Sequence, residues 1–399
     1  MSGTPLQGTQ LQRISFPREV SPVAGDIRRE DLGLHSSLAK QLSEEIDIVV
    51  NGAAITNFYE RYDVALASNA LGTMNVCQFA KQCARLKMLL HVSTEGLLPE
   101  NLIRMGETPK PDRHLDIEAE LELVGEVKAT LTAHSAPEDT SSQQLEKKAM
   151  KELGLKRANY FGWPNVYVFT KAMGEMLLGS VREDLPVVIV RPSIVTSTFE
   201  EPFPGWIEGT RTIDALIVGY DEQTVPCFIG DRSGAIDVIP GDMVVNATMV
   251  AMAAHYGEKT QAVYHESTYG YFFINPRVRD DMRTIQHKKL LLFNRYPYFH
   301  AYMVLAYKTP LQMLYLVNLL LSGLLSEFHN KLNRNYNFFM LLAKLYAPFA
   351  FFKACFDDTN LRKLWGTTTG AAQGYGLYLF NVHIPAVLKI SRGKKDGRA

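Results

Sequence analysis

Residues 46–54 read Ile46-Asp47-Ile48-Val49-Val50-Asn51-Gly52-Ala53-Ala54: a short apolar run that stops on an amide and three small residues. β-Branched side chains crowded into so short a run favour an extended strand. A run without strict polar alternation is buried on both faces, as strands of a parallel α/β sheet are. The small residues behind it let a ligand come close to the backbone. They fall at a strand's carboxyl end, where open α/β sheets bind their ligands.

The same rhythm repeats outward from this point. Leu38–Glu45 reads as a helix before the strand, and Val64–Leu86 has helical apolar spacing after it. Met88–Val92 is a second strand, apolar except for His91 and closed by Ser93-Thr94. The helix Tyr167–Val181 and the strand Val187–Val190 follow, ending on Arg191-Pro192-Ser193. Asp237-Val238-Ile239-Pro240 leads into a helix from Gly241 to His255, and upstream Val20–Val23 is a short strand candidate closed by Gly25-Asp26. This alternation predicts a Rossmann-like parallel sheet with helices on both faces. Residues 101–155 interrupt it, rich in Glu, Lys and Thr with Pro109, Pro111 and Pro137, and read as an insertion that is helical around Leu115–Leu131. Beyond about residue 285 Leu, Phe, Tyr and Met dominate, and helices are predicted up to Phe356. The chain thus divides into an α/β domain over 1–280 and a helical domain over 285–399, with a linker near Asn275-Pro276.

Composition narrows the function class. The 399 residues are 46% hydrophobic and 21% charged, ample for a buried core. Basic and acidic residues balance at 42 each, so no global field draws nucleic acid. Cys77, Cys83, Cys227 and Cys355 are scattered without a C-x-x-C spacing, which argues against a zinc site or disulfide scaffold and for a reduced, intracellular setting; no metal is expected. The first residues hold no apolar signal core; Arg13, Arg18 and several hydroxyl residues give only a faint transit-peptide character.

The best catalytic candidates are Tyr167 and Lys171, four residues apart on one helix face. A neighbouring ammonium is expected to lower the phenol pKa and make it a usable acid. Among 18 tyrosines about one such spacing arises by chance, so the pair needs context. Context comes from the hydroxyls of Ser93 and Thr94, from Asn69 in a helix, from Asn51-Gly52-Ala53-Ala54 and from Arg191-Pro192-Ser193. With Gly25-Asp26, these fall in one order along the chain.

That order resembles the extended short-chain dehydrogenase/reductase superfamily. Longer strings narrow the resemblance to plant-type fatty acyl-CoA reductases: residues 49–58 with 60–66, Arg191–Phe199 running into Glu201–Gly209, Asp237–Ala247, and Phe356–Asn360. It covers roughly residues 20–390. The resemblance implies NADPH-dependent reduction of a long-chain acyl thioester, on coenzyme A or acyl carrier protein, to a primary alcohol. It implies that Tyr167 protonates the developing oxyanion, that Lys171 tunes it and holds the nicotinamide ribose, and that Ser93 or, preferably, Thr94 binds the carbonyl. It gives Asn69 a role in ordering the helix and a relay water, and Asp26 a contact to adenine. Asn51, Gly52, Ala53, Ala54, Arg191, Pro192 and Ser193 fall at the cofactor. An endoplasmic reticulum membrane or a plastid is an equally open location.

One departure counts against cofactor binding. Dinucleotides sit on a Gly-rich turn whose amides reach the pyrophosphate, and no G-x-x-G-x-x-G or G-x-G-x-x-G occurs in these residues. About 20 residues precede the strand candidate that leads to Asp26, fewer than a βαβ unit needs. The expectation is a sheet lacking its first βαβ unit, an apolar edge beside Val49-Val50 and weak NADPH binding. Two other functions stay in view: a different extended dehydrogenase acting on a sterol or sugar nucleotide, and a non-catalytic lipid-binding homologue that pairs with a full-length relative. Leu311–Leu325 is the most apolar run, broken by Gln312, Asn318 and Ser322, and reads either as a buried helix or as a peripheral membrane contact of the C-terminal domain.

Overall fold

The computed structural model describes residues 20–94, 101–133, 140–209, 213–222, 224–225, 227–231, 237–259, 261–266, 291–351, 356–368, 383 and 386–387. α1 (Ser36–Glu45) leads into β1 (Ile48–Asn51). α2 (Tyr62–Ala65), a π-helical stretch over Leu66–Leu71 and α3 (Gly72–Gln82) then return to β2 (Met88–Val92). α4 (Ile117–Ala133), α5 (Thr140–Phe161) and α6 (Val166–Val181) precede β3 (Val187–Pro192) and β4 (Ile194–Thr196). α7 (Asp214–Asp221), β5 (Cys227–Ile229), β6 (Val238–Pro240), α8 (Gly241–Ala254) and β7 (Gln261–Glu266) follow. The later part comprises β8 (Leu291–Phe293), α9 (Tyr296–Met303), a π-helical turn over Val304–Lys308, α10 (Thr309–Leu320), α11 (Ser326–Ala350) and α12 (Thr359–Thr368).

The main sheet has the order β1-β2-β3-β7, parallel throughout. Two-residue alternation splits its side chains between two cores. Leu89, Val187, Ile189 and Val263 pack with Val76, Cys77, Ala80 and Leu178 of α3 and α6. Met88, Leu90, Val188, Val190 and Tyr264 pack with Ala247 and Ala251 of α8 and with Leu361 and Leu364 of α12. Each such aliphatic side chain contributes about 1.5–3 kcal/mol on burial. This is the expected Rossmann-like α/β architecture with helices on both faces.

Several expectations are corrected. Val20–Val23 is not a strand: it pairs with no strand among the described residues, and Val20 and Val23 are half exposed. β1 pairs with β2 alone among the described strands, and Val50 stands 49% exposed. β7 escaped the sequence reading because Gln261, His265 and Glu266 dilute its apolar character. The 101–155 segment does more than carry a solvated face. Ile103, Leu115, Ile117, Val124 and Met150 join Tyr62, Phe169 and Met173 in one core, and buried Glu120 binds the Tyr62 hydroxyl at 2.7 Å and also pairs with Arg157. The expected linker near Asn275-Pro276 lies outside the described residues; elements on either side of it are in contact. β5 pairs with β8, and Cys227, Phe228 and Ile229 share a core with Phe299, Met303 and Ala343.

Candidate active site

Parallel pairing brings the strand ends into one row. Asn51 lies opposite His91, Val92 opposite Val190, and Arg191 opposite His265. α6 starts beside this row. The Asn165 side chain caps it by accepting from the Val168 amide at 2.9 Å, which satisfies one of the helix's open N–H groups. Tyr167 and Lys171 follow within its first two turns.

The Tyr167 hydroxyl faces the Thr94 side chain, whose hydroxyl favours the phenolate. Its ring stacks on Phe58 with centroids 5.9 Å apart and planes at 14°. Phe58 in turn meets Tyr346 and Phe349 of α11, so the helical part roofs the phenol. Burial raises the Tyr167 pKa, and the Thr94 hydroxyl opposes the rise. The expected lowering by Lys171 is therefore not what acts on the phenol. The lysine is turned elsewhere: its Nζ donates to the Val92 carbonyl at 2.7 Å and lies 3.3 Å from His91 Nε2. Desolvation lowers Lys171 to about 8, with Glu175 pulling the other way.

His91, whose role the sequence left unread, holds the group together. It is buried, and its Nδ1 lies 3.1 Å from the Asn51 amide. Burial first, then the charges of Lys171 and Arg191, push its pKa well below 6.5, so the ring is neutral. Asn51, expected at the cofactor, is thus buried against His91. Gly52 and Ala53 beyond it are exposed, and a Cβ at Gly52 would meet nothing within 4 Å. A histidine alone within an otherwise apolar strand was the one signal for this arrangement.

Asn69 sits in the π-helical stretch, a one-residue widening common where a helix must present a particular group. Its side chain accepts from the Ile55 amide at 2.9 Å and donates to the Ile55 carbonyl at 3.1 Å and to Thr170 at 3.0 Å. It therefore fastens the loop after β1 to α6. The backbone oxygen of Asn69 would lie 2.3 Å from a Cβ at Gly174, so only glycine lets α6 approach this closely.

The remaining expected residues spread out. Ser93 lies 4% exposed with its Oγ unpartnered, while Thr94 is the hydroxyl that meets Tyr167 and lines a small cleft with Trp163, Val168, Glu175 and Arg191. Arg191 does not face an open site. Its guanidinium pairs with buried Glu175 at 2.6 Å and contacts His265 at 2.9 Å and the Asn101 carbonyl at 2.8 Å. Pro192 is buried, Ser193 donates its amide to the Glu266 carbonyl at 2.9 Å, and Ala54 is half-buried behind Gly52. Asp26 is held to about 2 by Arg28 at 2.7 Å and makes its described contacts within its own turn. Burial pushes Glu266, at the end of β7, up to about 8.

A second polar cluster joins distant segments. His383 lies 3.0 Å from Ser197 Oγ and 2.9 Å from Asp214, all three buried. It is not a nucleophilic triad, because His383 Nδ1 already accepts from the Ser197 amide at 3.1 Å and has no free lone pair for the hydroxyl proton.

The residues fit half of a dinucleotide. Tyr167, Lys171 and the open backbone at Gly52 and Ala53 suit a nicotinamide ribose. No Gly-rich turn of the required spacing supplies a pyrophosphate cradle in these residues.

Comparison with known proteins identifies the frame. The NAD-binding family model described as Male sterility protein matches residues 5–248. Fatty acyl-CoA reductase 1 of Arabidopsis thaliana is 42% identical over 370 residues, covering 87% of this chain and 74% of that protein. The alcohol-forming fatty acyl-CoA reductase of Simmondsia chinensis is 40% identical over 376 residues, covering 88% and 75%. In fold, the terminal R domain of the myxalamid PKS-NRPS pathway superposes with a TM-score of 0.55 at 18% identity, over 94% of this chain and 75% of that one. The chain belongs to the plant-type fatty acyl-CoA reductase family, an oxidoreductase family of the extended short-chain dehydrogenase/reductase superfamily.

Proposed function

We propose that the chain is an NADPH-dependent reductase that takes a long-chain acyl thioester, on coenzyme A or acyl carrier protein, to a primary alcohol. The observation that carries this reading is the Thr94 side chain facing the Tyr167 hydroxyl, with Lys171 one turn further along α6. Two NADPH, bound in turn, would supply two hydrides: the first would release the thiol and leave an aldehyde, and the second would take the aldehyde to the alcohol. The Thr94 hydroxyl would donate to the thioester carbonyl, and Tyr167 would deliver a proton to the oxygen as negative charge develops. Donors fixed in advance at that oxygen stabilise the transition state more than the ground state. Lys171, held by Val92 and His91, would orient the nicotinamide ribose. Phe58 and the α11 aromatics over Tyr167 exclude water and offer apolar surface to an acyl chain.

Incubation of the purified chain with palmitoyl-CoA or stearoyl-CoA and NADPH, with the alcohol read by gas chromatography, tests the reading. Alcohol formed by the wild type and abolished in Tyr167→Phe supports it; equal turnover by both ends it. A second reading is a non-catalytic lipid-binding homologue that associates with a full-length relative. Fluorescence titration separates the two, since a low-micromolar NADPH dissociation constant contradicts the second.

A further inference from the structure

We infer that the α10–α11 hairpin is a bilayer-inserting tip that holds the protein on anionic membrane. The inference stands on exposure, backbone bonding and charge in the hairpin, and does not depend on the reductase reading.

Leu320 and Leu324 at the hairpin turn are 85% and 82% exposed. Met313, Leu316, Leu319 and Phe328 are each more than half exposed around them. α10 packs on α11 and on the π-helical turn before it. Contiguous apolar surface of this kind marks an interaction site. Side chains this open crown a projecting tip, which a flat protein partner would cover poorly and a fluid bilayer covers on all sides.

The backbone of the turn is closed on itself. The amides of Leu321, Ser322, Gly323, Leu324 and Ser326 donate to the carbonyls of Val317, Leu319, Asn318, Leu321 and Gly323. The remaining amide, that of Leu325, donates to Asn318 Oδ1 at 2.7 Å, and Asn318 Nδ2 bonds Ser326 Oγ at 3.1 Å. Asn318 is 6% exposed in an otherwise greasy helix, so its amide serves the turn rather than solvent. Every N–H from 321 to 326 is thereby satisfied inside the hairpin, which lowers the cost of moving the turn out of water.

Charge is arranged to match. Thr309–Leu325 holds no charged residue. Residues 291–351 hold five basic residues (Arg295, Lys308, Lys331, Arg334, Lys344) and one acid, Glu327, in a chain whose charges as a whole balance at 42 each. Lys331 sits five residues into α11, roughly 8 Å from its Ser326 start at helical rise. That is the depth to which interfacial helices enter, with cations left among the headgroups. Among the described residues no helix is long and apolar enough to cross a membrane, so the hairpin dips rather than spans.

Flotation of the full chain with vesicles tests this. With phosphatidylcholine–phosphatidylserine vesicles the wild type should float, and Leu320→Glu/Leu324→Glu should lose about tenfold or more of the bound fraction. Lys331→Gln/Arg334→Gln should lose the preference for these vesicles over phosphatidylcholine alone. Leu320→Trp, which keeps the tip apolar, should gain fluorescence quenching from brominated lipid beyond the wild-type signal. Flotation of the Glu variant equal to wild type, a wild type that stays with the soluble fraction, or no added quenching overturns the inference. So does a vesicle-free dimer, seen by sedimentation, that the Glu pair splits, because the surface then belongs to a second copy of the chain.

Discussion

The ammonium nitrogen of Lys171 lies 3.3 Å from Nε2 of His91, a buried pair in which the lysine carries the charge. A neutral imidazole has one N–H, and an ammonium only donates. Nε2 is the nitrogen placed to accept from the ammonium, and Asn51 Nδ2 lies 3.1 Å from Nδ1 on the other side of the ring. The Val92 carbonyl takes a second lysine proton at 2.7 Å. These two contacts account for two of the three N–H groups of Lys171. The trio Asn51–His91–Lys171 thus fixes a buried ammonium beside the strand ends.

The pH profile should expose this lysine. With its pKa lowered to about 8, it loses its proton, and its hold on a ribose, as pH rises through that value. The expected result is a descending limb in kcat/KM centred near pH 8. Stability should move the opposite way. The unfolded chain holds that proton up to about 10.5, so between about 8 and 10.5 it binds more protons than the folded chain, and this group's contribution to stability rises with pH. Urea unfolding of wild type and Lys171→Met across that window should show the slope only in the wild type.

Tyr167→Phe should cost on the order of 10²–10⁴ in kcat, the usual worth of a positioned acid. The ring would keep its stacking on Phe58, so KM for the acyl donor and the unfolding midpoint should change little. Thr94→Val should lower kcat and further raise the phenol pKa, because the hydroxyl it removes is what opposes the effect of burial. Steady-state kinetics on both variants checks the pair.

Glu175→Ala leaves Arg191 charged, buried and without its carboxylate. Breaking such a pair costs about 3–5 kcal/mol, whereas removing both charges is often neutral. Arg191 and Glu175 are 2% and 1% exposed at the side chain. Denaturant titration should therefore rank Glu175→Leu/Arg191→Met above Glu175→Ala in stability.

How much of this was legible turns on which features are periodic. Strands such as Val187–Val190 and the face shared by Tyr167 and Lys171 follow from side-chain spacing, and they were readable. The order of small and polar residues at strand ends was readable too. The use of Asn51 and Arg191 was not, because an amide or a guanidinium at a strand end can face a ligand or the interior, and only the partners at His91 and Glu175 decide. β7 was lost because a strand that ends on His265-Glu266 lacks an apolar pattern. The π-helical stretch at Asn69 leaves no trace in spacing, since one added residue per turn shifts the apolar phase by less than composition blurs it.

Two glycines inside helices show the same limit and yield opposite expectations. Gly125 in α4 is exposed, and a Cβ there meets nothing within 4 Å. Gly125→Ala should stabilise by about 0.5–1 kcal/mol, through lower entropy of the unfolded chain. Gly174 in α6 faces the Asn69 carbonyl, 2.3 Å from the new Cβ, with Thr73 Oγ1 at 3.0 Å. Backbone cannot rotate aside as a side chain does, so α6 must move off the π-helical stretch, at about 1–3 kcal/mol for overpacking. The Asn69 to Thr170 hydrogen bond at 3.0 Å spans that gap and should weaken with it. Because Lys171 precedes Gly174 by one turn, the shift should also displace its Nζ from Val92 and His91. Gly174→Ala should lower kcat together with stability, while Gly125→Ala raises stability and leaves kcat unchanged. Equal behaviour of the two variants would mean that the close approach of α6 to Asn69 does not position the site.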